Sequence, residues 1–337
     1  MKIGKKYIGN NSTFFVAEEG QANLGDLNYA FRMVDAAAKT GVDAIEFQLA
    51  NADDFYVKSH DMYKIYKDRE FSEFQLKQLS EYVRSKDLEL IVSPFSVRMV
   101  EIMANNGCSA FNINASDLVT PDIIDSVIDT KLPFFLSLLF ASEEEIDWAV
   151  DRVIARGGSN YALLLGQHAM GNGNESLSVE HTNLGYISTL RNKYKVPVGF
   201  IDHTPEIWMP SCAVAAGARI ITKHLALSRA EKGPDWQICL EPGEMRRSVE
   251  WVRSIKKSVS SIKKTIAPGE NFDKSLMRRS IVSTNSLKKG DIIKKKDICF
   301  KRPGSGIPAN REVDVIGKRL ILDLEKDQVI KIEHLGE

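Results

Sequence analysis

The chain has 337 residues with 45 basic and 45 acidic side chains, and this balance gives no electrostatic case for nucleic acid or an anionic membrane surface as a partner. No apolar run approaches the roughly 20 residues that span a bilayer, and the start MKIGKKYIGNN lacks the apolar core of a secretory signal, so a cytoplasmic protein with no membrane association is expected. Cys108, Cys212, Cys239 and Cys299 stand far apart with no CxxC pair and are expected to be reduced core thiols.

Short apolar runs at 14–17, 44–48, 89–92, 110–113, 134–137, 161–165, 196–201 and 218–222 read as strands. Each is followed by an amphipathic or small-residue stretch that reads as a helix: 27–40, 73–86, 97–105, 121–130, 143–155, 184–193, 210–217 and 243–263. Eight such repeats over about 250 residues predict an α/β fold of the (β/α)8, or TIM-barrel, type. A doubly wound open sheet is the structural rival, but no Gly-rich dinucleotide fingerprint opens any of the helices. Ala267-Pro268-Gly269 then breaks the pattern. Residues 278–335 carry short β-like runs at 280–284, 320–323 and 329–332, separated by Gly/Pro turns such as KKGD at 288–291. The expected organisation is a barrel over 1–265, a linker over 266–277 and a small β-rich domain over 278–337. A domain of about 60 residues is near the size at which a lone core is marginal, so it is expected to pack on a barrel.

In such barrels the chemistry sits where the strands end. The polar residues there include Glu18, Glu19, Glu46, Gln48, Ser93, Ser96, Asn112, Asn114, Asp117, Ser137, Gln167, His168, Asp202, His203 and His224. A charge such as Glu46 inside Ala-Ile-Glu-Phe-Gln must face the core or the rim, because a barrel strand is walled on both sides. His203 and His224 each follow a strand of one βαβ unit and so reach the same rim. Two readings stand for them: a metal pair, since imidazole is the commonest nitrogen ligand, or an Asp-His-Thr turn beside a satisfied buried histidine. The long segment 51–71 reads as a polar, Tyr-rich loop of the kind that forms lids, with His60 or Tyr63 as candidates to reach a ligand. Gly171-Asn172-Gly173-Asn174 reads as a flexible turn, since no Lys-Ser/Thr helix follows it as in a phosphate loop. His181 and His334 are expected at the surface.

The motifs, in order, are Val16-Ala17-Glu18-Glu19-Gly20, AAAKTGVDAIEFQ at 36–48, VSPFS at 92–96, residues 111–118, GFIDHT at 199–204, Lys223-His224, GPD at 233–235, Leu240-Glu241-Pro242, Arg278-Arg279-Ser280 and KRPGSGI at 301–307. In this order and spacing the chain resembles the sialic acid (nonulosonic acid) synthases, and its tail resembles their antifreeze-like, or SAF, domain. The resemblance implies condensation of phosphoenolpyruvate with an N-acyl-mannosamine-type sugar in carbohydrate biosynthesis. It implies a divalent metal, manganese or magnesium, on His203 and His224. It also implies that Glu18 and Asp117 act in catalysis and that Asp235 binds the sugar. Arg302 would reach the sugar's acyl group in a partner's barrel within a domain-swapped homodimer.

Departures from the family pattern gather in one place. The family's Val-Lys-Phe-Gln is Ile45-Glu46-Phe47-Gln48 here, and its Lys-Ile-Gly-Ser is Asn112-Ile113-Asn114-Ala115. Two lysines that would cradle an enol phosphate are thus replaced by Glu46 and Asn112, which disfavours phosphoenolpyruvate unless Lys223, Arg229 or Lys232 compensates. His168 stands where an asparagine is expected. It is a candidate third ligand, with Glu46 or Gln48 beside it, and a three-histidine set would admit iron or zinc. Glu46 is thereby a candidate catalytic group, and Gln48, Ser93, Asn112 and Lys223 are candidate substrate contacts. The expected function is a divergent synthase forming carbon–carbon bonds on a sugar-derived substrate. Two alternatives remain: a metal enzyme of another class (a phosphoenolpyruvate-independent aldolase or lyase, an isomerase or an oxygenase), or a non-catalytic scaffold.

Overall fold

The computed structural model describes residues 1–9, 12–168, 179–261 and 263–336. The chain divides into two units, Met1–Ser261 and Ile262–Glu337, each with its own apolar core.

The first unit opens with a hairpin of two-residue strands, β1 (Lys2–Ile3) and β2 (Lys6–Tyr7). Such short strands leave no periodic signal in the sequence. There follow β3 (Phe14–Glu18), α1 (Leu27–Ala38), β4 (Ala44–Leu49), α2 (Ala52–Phe55), α3 (Asp61–Asp68), α4 (Glu73–Ser85), β5 (Glu89–Pro94), α5 (Val97–Asn105), β6 (Ala110–Ile113) and α6 (Pro121–Asp129). The series continues with β7 (Phe134–Ser137), α7 (Glu143–Ala155), β8 (Tyr161–Gly166), α8 (Tyr186–Tyr194), β9 (Val198–Asp202), α9 (Met209–Ala216), β10 (Ile220–His224) and α10 (Pro242–Val259). Helices start where the local chemistry favours it: Ser72 and Ser142 close capping boxes with Gln75 and Glu145, and Pro121 leads α6. Strands β3 to β10 pair in parallel in chain order, and β10 closes on β3, giving the expected eight-stranded barrel.

Successive side chains on a strand point to opposite faces, so each barrel strand serves two compartments. Outward residues such as Phe15, Phe47, Val92, Phe111, Phe200 and Ile221 pack in the layer shared with the helices. Inward residues near the strand starts, among them Phe14, Val16, Ala44, Ile91, Ala110 and Ile220, form a second apolar cluster. Phe135, Ala162, Leu164 and Ile201 belong to it too, and Ile3 and Ile8 from the hairpin complete it. Burying each of those two isoleucines stabilises the fold by about 1.5–3 kcal/mol, and that apolar burial holds the hairpin in place.

In the second unit α11 (Glu270–Met277) precedes an antiparallel pair, β11 (Ser280–Ser283) and β12 (Ile298–Lys301). Ile281, Ile293, Val315, Leu320, Leu324 and Ile330 form its core. The segment 266–277, expected as a linker, therefore carries a helix, entered through Gly269 at φ 90°. The runs at 320–323 and 329–332 take part only in single bridges, Leu320 with Leu335 and Val282 with Val329 at their edges, instead of full strands. Three further expectations are corrected. Cys212 is exposed, whereas Cys108 and Cys239 are buried. His334 is buried, its Nδ1 accepting from the Lys331 N–H at 3.0 Å. The polar loop 51–71 contains α2 and α3. The turn at 171–174 lies outside the described residues.

Candidate active site

Toward the C-terminal ends of the strands the inward positions turn polar. Glu46 on β4 is fully buried. Its Oε1 accepts from Ser93 Oγ on β5 and from Asn112 Nδ2 on β6, both at 2.7 Å. Asn112 Oδ1 accepts in turn from Ser137 Oγ on β7 at 2.8 Å. Four adjacent strands thus share one chain of hydrogen bonds, while Glu46 Oε2 has no partner. Burial, reinforced by the neighbouring Glu18 charge, pushes the Glu46 carboxyl up to about 8, because desolvation favours the neutral form. At neutral pH this floor is mostly uncharged.

Above it stands Glu18, the last residue of β3. Its Oε1 accepts from Gln48 Nε2 at 2.7 Å and its Oε2 lies 3.5 Å from His224 Nε2. Burial raises this carboxyl to about 7, against the lowering effect of the Gln48 hydrogen bond. His224 Nε2 lies 3.4 Å from His203 Nε2, with the two rings edge to face and 5.1 Å between centroids. Burial holds both imidazoles below their ordinary pKa, which leaves them neutral, the form that binds metal. The His224 ring lies against the backbone of Gly20, at φ 56°; a Cβ there would stand 2.7 Å from Nδ1. Glycine is required at that position on both counts. Glu19, next to Glu18, serves its own loop by accepting from Asn23 Nδ2 at 2.8 Å and Gln21 N at 3.1 Å.

Two nitrogen ligands of one tetrahedral ion, bound at about 2.1 Å, stand roughly 3.4 Å apart. The Nε2 atoms of His203 and His224 have that separation, and Glu18 Oε2 offers an oxygen donor beside them. The pair therefore fits a divalent ion whose remaining ligands are oxygens of water or substrate. Among the described residues no ready-made group of three or more His, Cys, Asp or Glu side chains is gathered for a metal. His168 stacks edge-on to His203 with centroids 5.2 Å apart, but its side chain is exposed at the rim. The three-histidine set is thus not preassembled.

Between floor and rim lies a cleft of about 260 Å³. Its polar lining includes Glu18, Gln48, Asn112, Ser137, His168, His203, His224 and Asp235; Phe55, Tyr66, Phe95, Leu139 and Phe140 make an apolar side. Among the described residues no lysine or arginine lines it, and residues 169–178 contain neither. The segment 51–71 reaches the cleft through Phe55 and Tyr66, held by ring contacts of 4.4 Å from Phe55 to Phe95 and 5.3 Å from Phe55 to Tyr66. His60 and Tyr63 do not line it: His60 caps α3, and Tyr63 donates to Asp53 at the surface.

Within the first unit, Lys223, Arg229 and Asp117 do not line the cleft. Lys223 adjoins His224 on β10 and so faces the opposite way. It is fully buried, 3.0 Å from Asp202 Oδ2, and donates to the Thr204 carbonyl. Arg229 is held by Glu244 at 2.7 Å. Neither cation lines the cleft to compensate for missing lysines. Asp117, on the turn after β6, accepts from Ser116 Oγ at 2.8 Å and Thr120 Oγ1 at 3.2 Å and does not line the cleft. Arg302 is exposed in the second unit.

Sequence reasoning missed the aromatic side and Gly20. The density of Phe and Tyr in 51–71 was the available signal for the first, and the glycine following two glutamates at a strand end for the second.

Known proteins place this geometry. The chain is 33% identical to an uncharacterized protein of Methanocaldococcus jannaschii, over 98% of this chain and 97% of the other. It is 30% identical to the N,N'-diacetyllegionaminic acid synthase of Legionella pneumophila, with coverages of 98% and 97%. The structure superposes on the N-acetylneuraminic acid (sialic acid) synthetase of Leptospira borgpetersenii with a TM-score of 0.75 at 30% identity, covering 81% of this chain and 95% of that one. Residues 33–264 match the NeuB family and residues 278–336 the SAF domain. With its eight-stranded barrel and β-rich tail, this chain belongs to the NeuB family of sialic and nonulosonic acid synthases, and carries a C-terminal SAF domain.

Proposed function

We propose that this protein forms carbon–carbon bonds on a sugar-derived substrate in nonulosonic acid-type biosynthesis, with His203 and His224 holding a divalent metal. The observation that carries the reading is the line Glu18–His224–His203 at the C-terminal rim, with its two Nε2 atoms 3.4 Å apart. A divalent ion there supplies a Lewis acid for a carbonyl oxygen. Glu18, oriented by Gln48, stands beside the histidine pair to take or give a proton at a substrate oxygen. Asp235 accepts from sugar hydroxyls, while Asn112 and Ser137 present hydrogen-bonding groups to the far end of the substrate. The homodimer that the family resemblance implies belongs to this reading.

A second reading is favoured by one observation, the absence of lysine and arginine from the cleft lining among the described residues. Phosphoenolpyruvate brings a carboxylate and a phosphate, and with no lysine or arginine in the lining only the divalent ion would offset their charge, so holding both anions there costs binding free energy. A phosphoenolpyruvate-independent aldolase or lyase avoids that cost. The test is to supply manganese-loaded protein with phosphoenolpyruvate and N-acyl-hexosamines, following phosphate release, and separately with a nonulosonic acid alone, following pyruvate. Phosphate release supports the synthase. Pyruvate formed from the nonulosonic acid without phosphate supports the lyase. Neither product from any acceptor removes both, leaving a metal enzyme of another class or a scaffold.

A further inference from the structure

Behind the two histidines, on the outer face of the barrel wall, lies a buried ion pair that the proposed chemistry does not use. Lys223 and Asp202 are direct cross-strand partners on β10 and β9. Both side chains are fully buried, with Nζ 3.0 Å from Oδ2. Each residue immediately precedes one of the histidines.

The contacts close around His203. Asp202 Oδ1 accepts from the Thr204 N–H and from Thr204 Oγ1, both at 2.8 Å, so the carboxylate bridges over the intervening histidine in an Asx-type turn. Lys223 Nζ donates to the Thr204 carbonyl as well. The backbone on both sides of His203 is therefore fastened to the residue next to His224. The His203 ring packs edge-on against His224 and His168, but its buried Nδ1 has no hydrogen-bond partner, whereas metal-binding histidines usually use that second nitrogen for orientation.

We propose that Lys223 and Asp202 are positioning residues that set the His203–His224 spacing through the backbone. The inference rests on the metal reading for its binding test but has a metal-free readout of its own. Removing the lysine alone leaves Asp202 buried and unpaired, and Lys223→Met is expected to melt well below the wild type. The double variant Asp202→Val with Lys223→Met removes both charges with apolar side chains near the original sizes and is expected to regain much of that stability. A purely structural pair would then be fully replaced. A positioning pair would not, because the Thr204 tether is gone.

Calorimetric titration with Mn(II) is expected to show binding to the wild type and to Lys223→Arg within about threefold, and binding weaker by about 10- to 100-fold in the folded double variant. In metal-free crystals the Nε2–Nε2 distance of the double variant is expected to differ from that of the wild type by about 1 Å or more. A folded double variant with wild-type Mn(II) affinity, or with an unchanged Nε2–Nε2 distance, overturns the positioning role. A wild type that binds no Mn(II) sinks the metal reading instead, and the crystal distances still decide the role of the pair.

Discussion

At their N-terminal ends the barrel strands point Phe14, Val16, Ala44, Ile91, Ala110 and Phe135 inward, sealed by Ile3 and Ile8 of the hairpin. Two to four residues further along the same strands the inward groups are Glu18, Glu46, Gln48, Ser93, Asn112 and Ser137, linked by hydrogen bonds from strand to strand. Both ends obey the two-residue period of a β-strand. At one end the inward side chains that meet are apolar, whereas the other buries a carboxyl oxygen and an imidazole nitrogen without partners. An unpaired buried polar group costs about 1–3 kcal/mol, so the polar end is retained against stability, the pattern expected of a site kept for chemistry.

That contrast can be broken by substitution. The largest effect is expected at the apolar end, where Phe135→Ala should destabilise the fold by about 3–5 kcal/mol in denaturant unfolding and leave Mn(II) affinity unaltered. A loss of affinity there would show that the two ends are not independent. Next comes Gly20→Ala, which puts a side chain on positive φ and against the His224 ring. It should cost about 1–3 kcal/mol and, unlike Phe135→Ala, weaken metal binding.

Glu46 gives a pH signature. Its carboxyl keeps its proton to about 8 in the folded chain, against an ordinary value of 4.5. Between those values the folded state binds more protons than the unfolded state, so stability falls as pH rises. Each pH unit in that window costs about 1.4 kcal/mol for one such group. Thermal unfolding of metal-free protein from about pH 5 to pH 8 should show the decline, and Glu46→Gln should make it shallower, the raised carboxyls of Glu18 and Glu19 keeping part of it up to about pH 7. An equally steep decline in Glu46→Gln would show that the burial of Glu46 is not its source. The smallest effect is expected from Ser93→Ala, about 1 kcal/mol from one lost hydrogen bond. Because that bond favours the ionised carboxylate, its removal should extend the declining window to higher pH.

The apolar end was legible in the sequence because alternation marks it. The inward positions 14, 16, 44, 91 and 110 are also the ones that place Glu18, Glu46, Ser93 and Asn112 at the rim. His203 and His224 could be read as a rim pair or as part of an Asp-His-Thr turn, and the structure contains both: the Asx-type turn forms and the nitrogens still meet. Long-range partnership was not legible. Nothing local says that Glu46 shares one hydrogen-bond chain with residues 47, 66 and 91 positions later in the sequence. The aromatic packing of Phe55 and Tyr66, which makes helices of an apparent loop, joins elements that the sequence does not place together. Lys223 is different, since its adjacency to His224 already places the two on opposite faces.

That adjacency bears on how this chain can change over time. Thr222, Lys223 and His224 belong alternately to the inside and outside of one wall. Deleting a single residue earlier in β10 would, without compensation, turn an ammonium toward the cleft and an imidazole into the apolar layer. Insertions and deletions should therefore be purged from this strand far more strictly than point substitutions. A lineage that needed a cation in the cleft would more readily acquire it by exchanging an inward residue, such as Asn112, than by redeploying the lysine it already has beside His224.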